Sequence, residues 1–122
     1  MKIKIASESA EALAELKNTK TASAIIKALP FESTAHRWGE EIYFEIPVEL
    51  ELENGKEVLD VGDIAYWPPG KSMCIFFGPT PSSKGSEVRA YSAVSVFGRV
   101  VGEAKIFRNV KEGERIRVKI AD

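Results

Sequence analysis

Polar and apolar residues alternate through Lys2-Ile3-Lys4-Ile5 and again from Glu11 to Leu16, where Ala12, Ala14 and Leu16 oppose Leu13 and Glu15. A period of two is that of a half-buried strand, although the alanines and glutamates of the second run also suit a helix. The period changes from Thr21 to Leu29. There Ala22, Ile25, Ile26 and Leu29 recur at helical spacing, Thr19 or Thr21 can cap the start, and Pro30 stops the run, which predicts the one main helix. Short runs rich in β-branched and aromatic residues follow. They predict strands at Ile64 to Trp67, Met73 to Phe77, Ala93 to Val101 and Arg115 to Ile120, with proline and glycine loops at 68 to 70 and 78 to 85. Ala104 to Val110 suits a short helical turn. Asn54-Gly55 is the clearest turn signal, and a two-residue turn there pairs Leu50 with Leu59 and Val48 with Val61, predicting a hairpin over 48 to 61. Glu49, Glu51 and Glu53 then form its solvated face, since glutamates spaced by two on a flat strand do not converge on a cation. Many short strands with one helix point to a mainly β sandwich or closed barrel.

Length narrows this to a single domain over residues 1–122, with about 6,500 Å² of surface expected for a folded chain of 13.4 kDa. Seventeen basic and eighteen acidic residues leave a net charge of −1, without the basic footprint that nucleic acid or an anionic membrane surface requires. The longest uncharged stretch, Ser72 to Ser83, is broken by Gly78, Pro79 and Pro81 and is shorter than the roughly twenty apolar residues of a spanning helix. Neither nucleic acid nor membrane is an expected partner. The alternating start lacks the apolar core of a secretory signal, so the expected location is the cytoplasm. One cysteine, Cys74, and one histidine, His36, exclude an internal disulfide and a zinc site built of nitrogen and sulfur ligands alone. Gly98 to Gly102 lacks phosphate-loop spacing, and no metal or organic cofactor is expected.

Several local patterns, in order, resemble the cyclophilins. Glu15-Leu16 with a helix from Thr21 to near Leu29 resembles that family's strand, loop and first helix, and His36-Arg37 is similar to its Phe-His-Arg strand. Gly62-Asp63-Ile64 through Ser72-Met73-Cys74-Ile75-Phe76-Phe77 resembles the segment leading to its Ser-Gln-Phe-Phe strand. Val96-Phe97-Gly98-Arg99-Val100 is similar to its Val-Phe-Gly-Lys-Val strand, and Ile120-Ala121-Asp122 to the end of its last one. Trp38 to Phe44, Tyr66 to Gly70 and Phe76 to Pro81 further resemble small bacterial and archaeal cyclophilin-like proteins of unassigned function. The resemblance implies a closed cyclophilin-like β-barrel with one main helix and a short helical turn.

In cyclophilins the arginine of Phe-His-Arg polarises the prolyl peptide bond beside an apolar pocket. The resemblance makes Arg37 the candidate catalytic residue, since a guanidinium favours the twisted amide against a barrier of roughly 18 to 20 kcal/mol. It puts Tyr43 and Glu45 at the family's pocket methionine and glutamine, and Met73 and Ile75 at its pocket glutamine and phenylalanine. Cys74 and Phe76 would then turn into the core; in the alternative register Phe76-Phe77 matches the family's phenylalanine pair, and Phe77 joins the pocket. Trp67 is a candidate groove wall, Tyr66 a core residue, and Trp38 either. The blander reading of Arg37 is an ion pair with Glu40, Glu41 or Glu45; that of His36 is a half-buried structural ring. The family's pocket histidine and tryptophan fall at Val94 and Arg89 and are missing. The implied function is binding of a peptide segment or small polar ligand in a cleft beside Arg37, the alternative being a weak or altered peptidyl-prolyl isomerase.

Overall fold

The structure is a computed structural model that describes residues 1–121; Asp122, the last residue of one cyclophilin-like match, lies outside the described residues. The alternation of lysine with isoleucine in β1 (Lys2–Ser7) turns Ile3 and Ile5 inward, and β1 pairs antiparallel with β2 (Glu11–Leu16), whose Ala14 and Leu16 are buried. α1 (Lys20–Ala28) starts at Thr19, whose hydroxyl accepts from the Ala22 N–H at 3.0 Å, and buries Ala22 and Ile25. Burial of each such isoleucine contributes about 1.5–3 kcal/mol. Then follow β3 (Phe31–Thr34), β4 (His36–Arg37), β5 (Glu41–Glu45), β6 (Lys56–Leu59), β7 (Asp63–Trp67), β8 (Ser72–Phe76), β9 (Val88–Val101) and β10 (Arg115–Ile120). Two 3-10 turns, Pro68–Gly70 and Ala104–Asn109, lie between strands.

The ladders run β3-β10-β1-β2-β9-β7-β8-β5-β4, all antiparallel, with β6 laid beside β9. The expected closed barrel is corrected in one respect. The path is open, ending at β3 and β4, which are successive stretches of one chain segment joined through Ala35 rather than strands laddered to each other. At Gly98 the backbone of β2 comes so close that a Cβ would meet the Leu16 side chain at 2.8 Å and the Glu15 carbonyl at 3.0 Å.

Two apolar clusters form on opposite faces. The inner one holds Ile3, Ile5, Ile42, Phe44, Ile64, Tyr66, Met73, Ile75, Phe77 and Phe97. The outer one holds Leu59, Ala65, Cys74, Phe76, Val88, Ala90 and Val94, where the first half of β9 and β6 cover the outer face of β7 and β8.

The predicted hairpin over 48 to 61 does not form. Only Lys56–Leu59 is a strand, and it pairs with β9, Leu59 opposite Val88. Side chains satisfy the backbone of the preceding segment instead: the Tyr66 hydroxyl donates to the Val48 carbonyl (2.8 Å) and accepts from the Leu50 N–H (3.2 Å), and Ser95 Oγ accepts from the Glu53 N–H (2.7 Å). The Glu53 carboxylate in turn accepts from the Lys20 and Thr21 N–H groups at the start of α1. Among the described residues no helix is long and apolar enough to cross a membrane.

Candidate functional site

Alternation along β5 sends Ile42 and Phe44 inward and leaves Glu41, Tyr43 and Glu45 on the outer face. Cross-strand register extends that face: Glu41 stands opposite Phe76, Tyr43 opposite Cys74, and Trp67 of β7 opposite Ser72. The far wall comes from an irregularity in β9. Lys56 pairs with Val94 but Val58 with Arg89, so residues 90 to 93 bulge out against a single residue of β6. Bulges of this kind redirect side chains, and this one brings Ala90 and Tyr91 over the outer face.

The result is a cavity of about 240 Å³ lined by Trp38, Glu41, Tyr43, Trp67, Cys74, Ala90, Tyr91 and Val94. Its rings meet nearly edge to face: Trp38 and Tyr91 at 5.9 Å and 73°, Trp67 and Tyr91 at 6.0 Å and 84°, Tyr43 and Trp67 at 6.4 Å and 72°. The Trp67 indole N–H donates to Ser92 Oγ at 2.7 Å, and its ring lies flush on Gly70, where a Cβ would sit 2.5 Å from it. That residue closes the Pro68–Gly70 turn, so the proline loop fixes one wall. Tyr91 is 73% exposed and stands at the mouth.

Glu41 is the polar group of the floor, only 5% exposed. Burial pushes its carboxyl up to about 8, against a smaller opposing effect of the neighbouring Cys74 thiol. Burial first, and Glu41 second, push the Cys74 thiol well above its usual range, so it stays protonated and unreactive. The Tyr43 phenol is raised by burial and by Glu112 and Glu41. Among the described residues no group of three or more His, Cys, Asp or Glu gathers as a metal site would.

The family profile described as Cyclophilin-like matches residues 1–119. The chain belongs to the cyclophilin-like family. Its structure is similar to the solution structure of a hypothetical protein from Archaeoglobus fulgidus, with 46% identity and a TM-score of 0.86 over 99% of this chain and 95% of that one. No curated protein matches it.

The cyclophilin-like fold places the expected site residues on two different faces. Tyr43 and Trp67 line the cavity, with Val94, where the resemblance puts the family's histidine, in its wall. Arg37 pairs with Ile42, not Tyr43, and its guanidinium lies 5.4 Å from the Phe77 ring on the core side. Its N–H groups are all engaged: Nη1 donates to the carbonyls of Arg108 (2.9 Å) and Val110 (3.0 Å), Nε and Nη2 to that of Gly39 (3.2 and 3.0 Å), and Nη2 also to Glu40 (3.4 Å). Arg37 therefore clamps the Ala104–Asn109 turn to β4, with no donor left for a substrate amide. Met73, Ile75 and Phe77 are buried in the inner core, and Glu45 is exposed outside the cavity. The strand after Ser72 thus presents the opposite face to that expected, Cys74 and Phe76 outward, because Tyr66 and Phe44 align with Met73 across the ladders. His36 is half-buried, its Nδ1 2.6 Å from Glu112 and its ring 5.2 Å from Tyr43.

Glu41, Tyr91 and Ala90 escape the sequence reading. Glu41-x-Tyr43 shares a face by simple alternation, which is a usable signal. Nothing local marks the bulge that carries Ala90 and Tyr91.

Proposed function

We propose that this chain is a ligand-binding module, one cyclophilin-like domain over residues 1–122, that accepts a peptide segment or small polar ligand in the aromatic cavity above Glu41. The observation that carries this reading is the cavity itself: concave, aromatic-walled, with one buried polar group, as ligand sites are. Tyr43 and Trp67 are its walls from the sheet, Trp38 and Tyr91 its rim. One buried, unbridged cysteine suits a cytoplasmic setting.

Family membership favours prolyl isomerisation as the rival. Against it, Arg37 lies outside the cavity with its donors spent on backbone carbonyls, and among the described residues no cation lines the cavity. An NMR fragment screen on the labelled protein tests the binding reading. Hits should shift the Trp38 and Trp67 indole N–H signals, and Tyr91→Ala should weaken them severalfold. Hits that cluster elsewhere and ignore Tyr91→Ala would sink it.

A further inference from the structure

We propose that the cavity recognises an alkylammonium headgroup, a small organic cation whose methyl or methylene groups fill the aromatic box while Glu41 supplies the opposing charge. This rests on the ligand-binding reading of the same site.

Three features carry it. The rings of Trp38, Tyr91, Trp67 and Tyr43 follow one another at interplanar angles of 72–84°, so they stand as walls of a box rather than as a stack. Aromatic faces are the negative ends of ring quadrupoles, and several around one space attract a cation, more strongly when water is excluded. The floor holds a carboxyl that is 5% exposed, and among the described residues no Lys, Arg or His lines the cavity to neutralise it. A cation stabilises the ionised form of that buried carboxyl, which a neutral or anionic guest cannot do. Finally, about 240 Å³ is below the ~300–1,000 Å³ of sites for drug-sized ligands, which suits a headgroup or one side chain.

Binding is then linked to protons. A carboxyl raised to about 8 holds its proton at neutral pH, and a cation must displace that proton on entering. Affinity should climb as pH rises towards 8 and level off above it. The titratable groups facing Glu41 are Cys74 of β8, Tyr43 of β5 and Tyr91 of β9; the His36–Glu112 pair lies behind Tyr43, and Glu40 is turned away onto Arg37 and Arg108.

Both tryptophans of the chain line the cavity, so intrinsic fluorescence reports on it directly. The test titrates the intact protein at pH 6, 7 and 8 with choline and with 3,3-dimethyl-1-butanol, its uncharged carbon isostere. Choline should bind at least about tenfold more tightly than the isostere at pH 8, and about tenfold or more weakly at pH 6 than at pH 8. Glu41→Gln should erase the pH dependence and reduce the choline preference to what the rings alone supply. Since the isostere comparison and the pH series use the unaltered chain, the outcome stands even if that variant folds poorly. A peptide carrying N-trimethyllysine forms a further arm: tighter binding than choline assigns the headgroup to a peptide, weaker binding to a free small molecule, and either supports the proposal. Equal affinity for choline and isostere overturns the cation class while leaving a ligand site. Affinity independent of pH overturns the role of Glu41. No response to either, together with fragment hits elsewhere, overturns the site itself.

Discussion

Glu41 illustrates how burial alone sets a residue's chemistry. Its folded-state pKa of about 8 lies above the 4.5 of an exposed glutamate, so between those values the native state holds a proton that the unfolded chain releases. Stability should therefore be full below about pH 4.5 and fall as pH rises to about 8, by on the order of a few kcal/mol in all. Glu41→Gln should flatten that slope, leaving the protein little changed at pH 4 and more stable than the parent at pH 8 to 9. Urea unfolding across this range checks it, and parallel curves would refute it. Arg37 makes the opposite case, a cation whose worth lies in the carbonyls it satisfies. Arg37→Ala leaves the carbonyls of Gly39, Arg108 and Val110 without these donors and should cost about 2 kcal/mol or more. Arg37→Lys should not restore it, because an ammonium cannot span three acceptors in the plane of a guanidinium.

At the scale of elements, α1 is held at its start by two devices, the Thr19 cap and the Glu53 carboxylate on the Lys20 and Thr21 amides. Hydrogen bonds from the Thr21 hydroxyl and amide keep the Glu53 carboxyl below its usual range. A depressed carboxylate stabilises above its unfolded pKa and loses that contribution as pH falls. Glu53→Ala should thus lower Tm by a few degrees near pH 7, and the gap from the parent should close in acid. Calorimetry at pH 7 and pH 3 distinguishes this from a gap that persists in acid. β9 is the other decisive element, one strand of fourteen residues serving two jobs. Its second half completes the inner sheet, while its bulged first half roofs the outer face. Ser92→Ala, which frees the Trp67 indole N–H, should change tryptophan emission with little loss of stability, since the ring still rests on Gly70.

At the scale of the whole molecule, the inside is filled by side chains, and the cavity lies on the outside of the sheet beneath the overhanging first half of β9. A catalyst gains only from interactions that strengthen in the transition state. With Arg37 engaged elsewhere and Val94 in the place of the family's histidine, kcat/KM on X-Pro peptides should lie at least about a hundredfold below that of an active cyclophilin, or about 2.7 kcal/mol of transition-state stabilisation. A coupled or NMR-exchange assay measures it. Rapid isomerisation abolished by Arg37→Ala without unfolding would promote the enzyme reading.

Periodicity sufficed where neighbours along the chain decide the outcome. The alternation of β1 and β2, the helix predicted from Thr21 to Leu29 and observed as Lys20–Ala28, and the strands around Tyr66, Cys74 and Phe97 all follow from it, and the ordered local motifs led to the cyclophilin-like family. The 3-10 turn over Ala104–Asn109 was legible for the same reason. Tertiary structure decided whatever depends on competition between distant partners. Val48 to Glu53 carry hairpin chemistry, but Tyr66 and Ser95 satisfy their backbone and Val88 takes Leu59, contacts no local pattern encodes. A one-residue choice of face moved Met73 and Ile75 into the core and Cys74 into the cavity floor, because in a sheet a period of two fixes which residues travel together but only the packed neighbours fix which set lies inside.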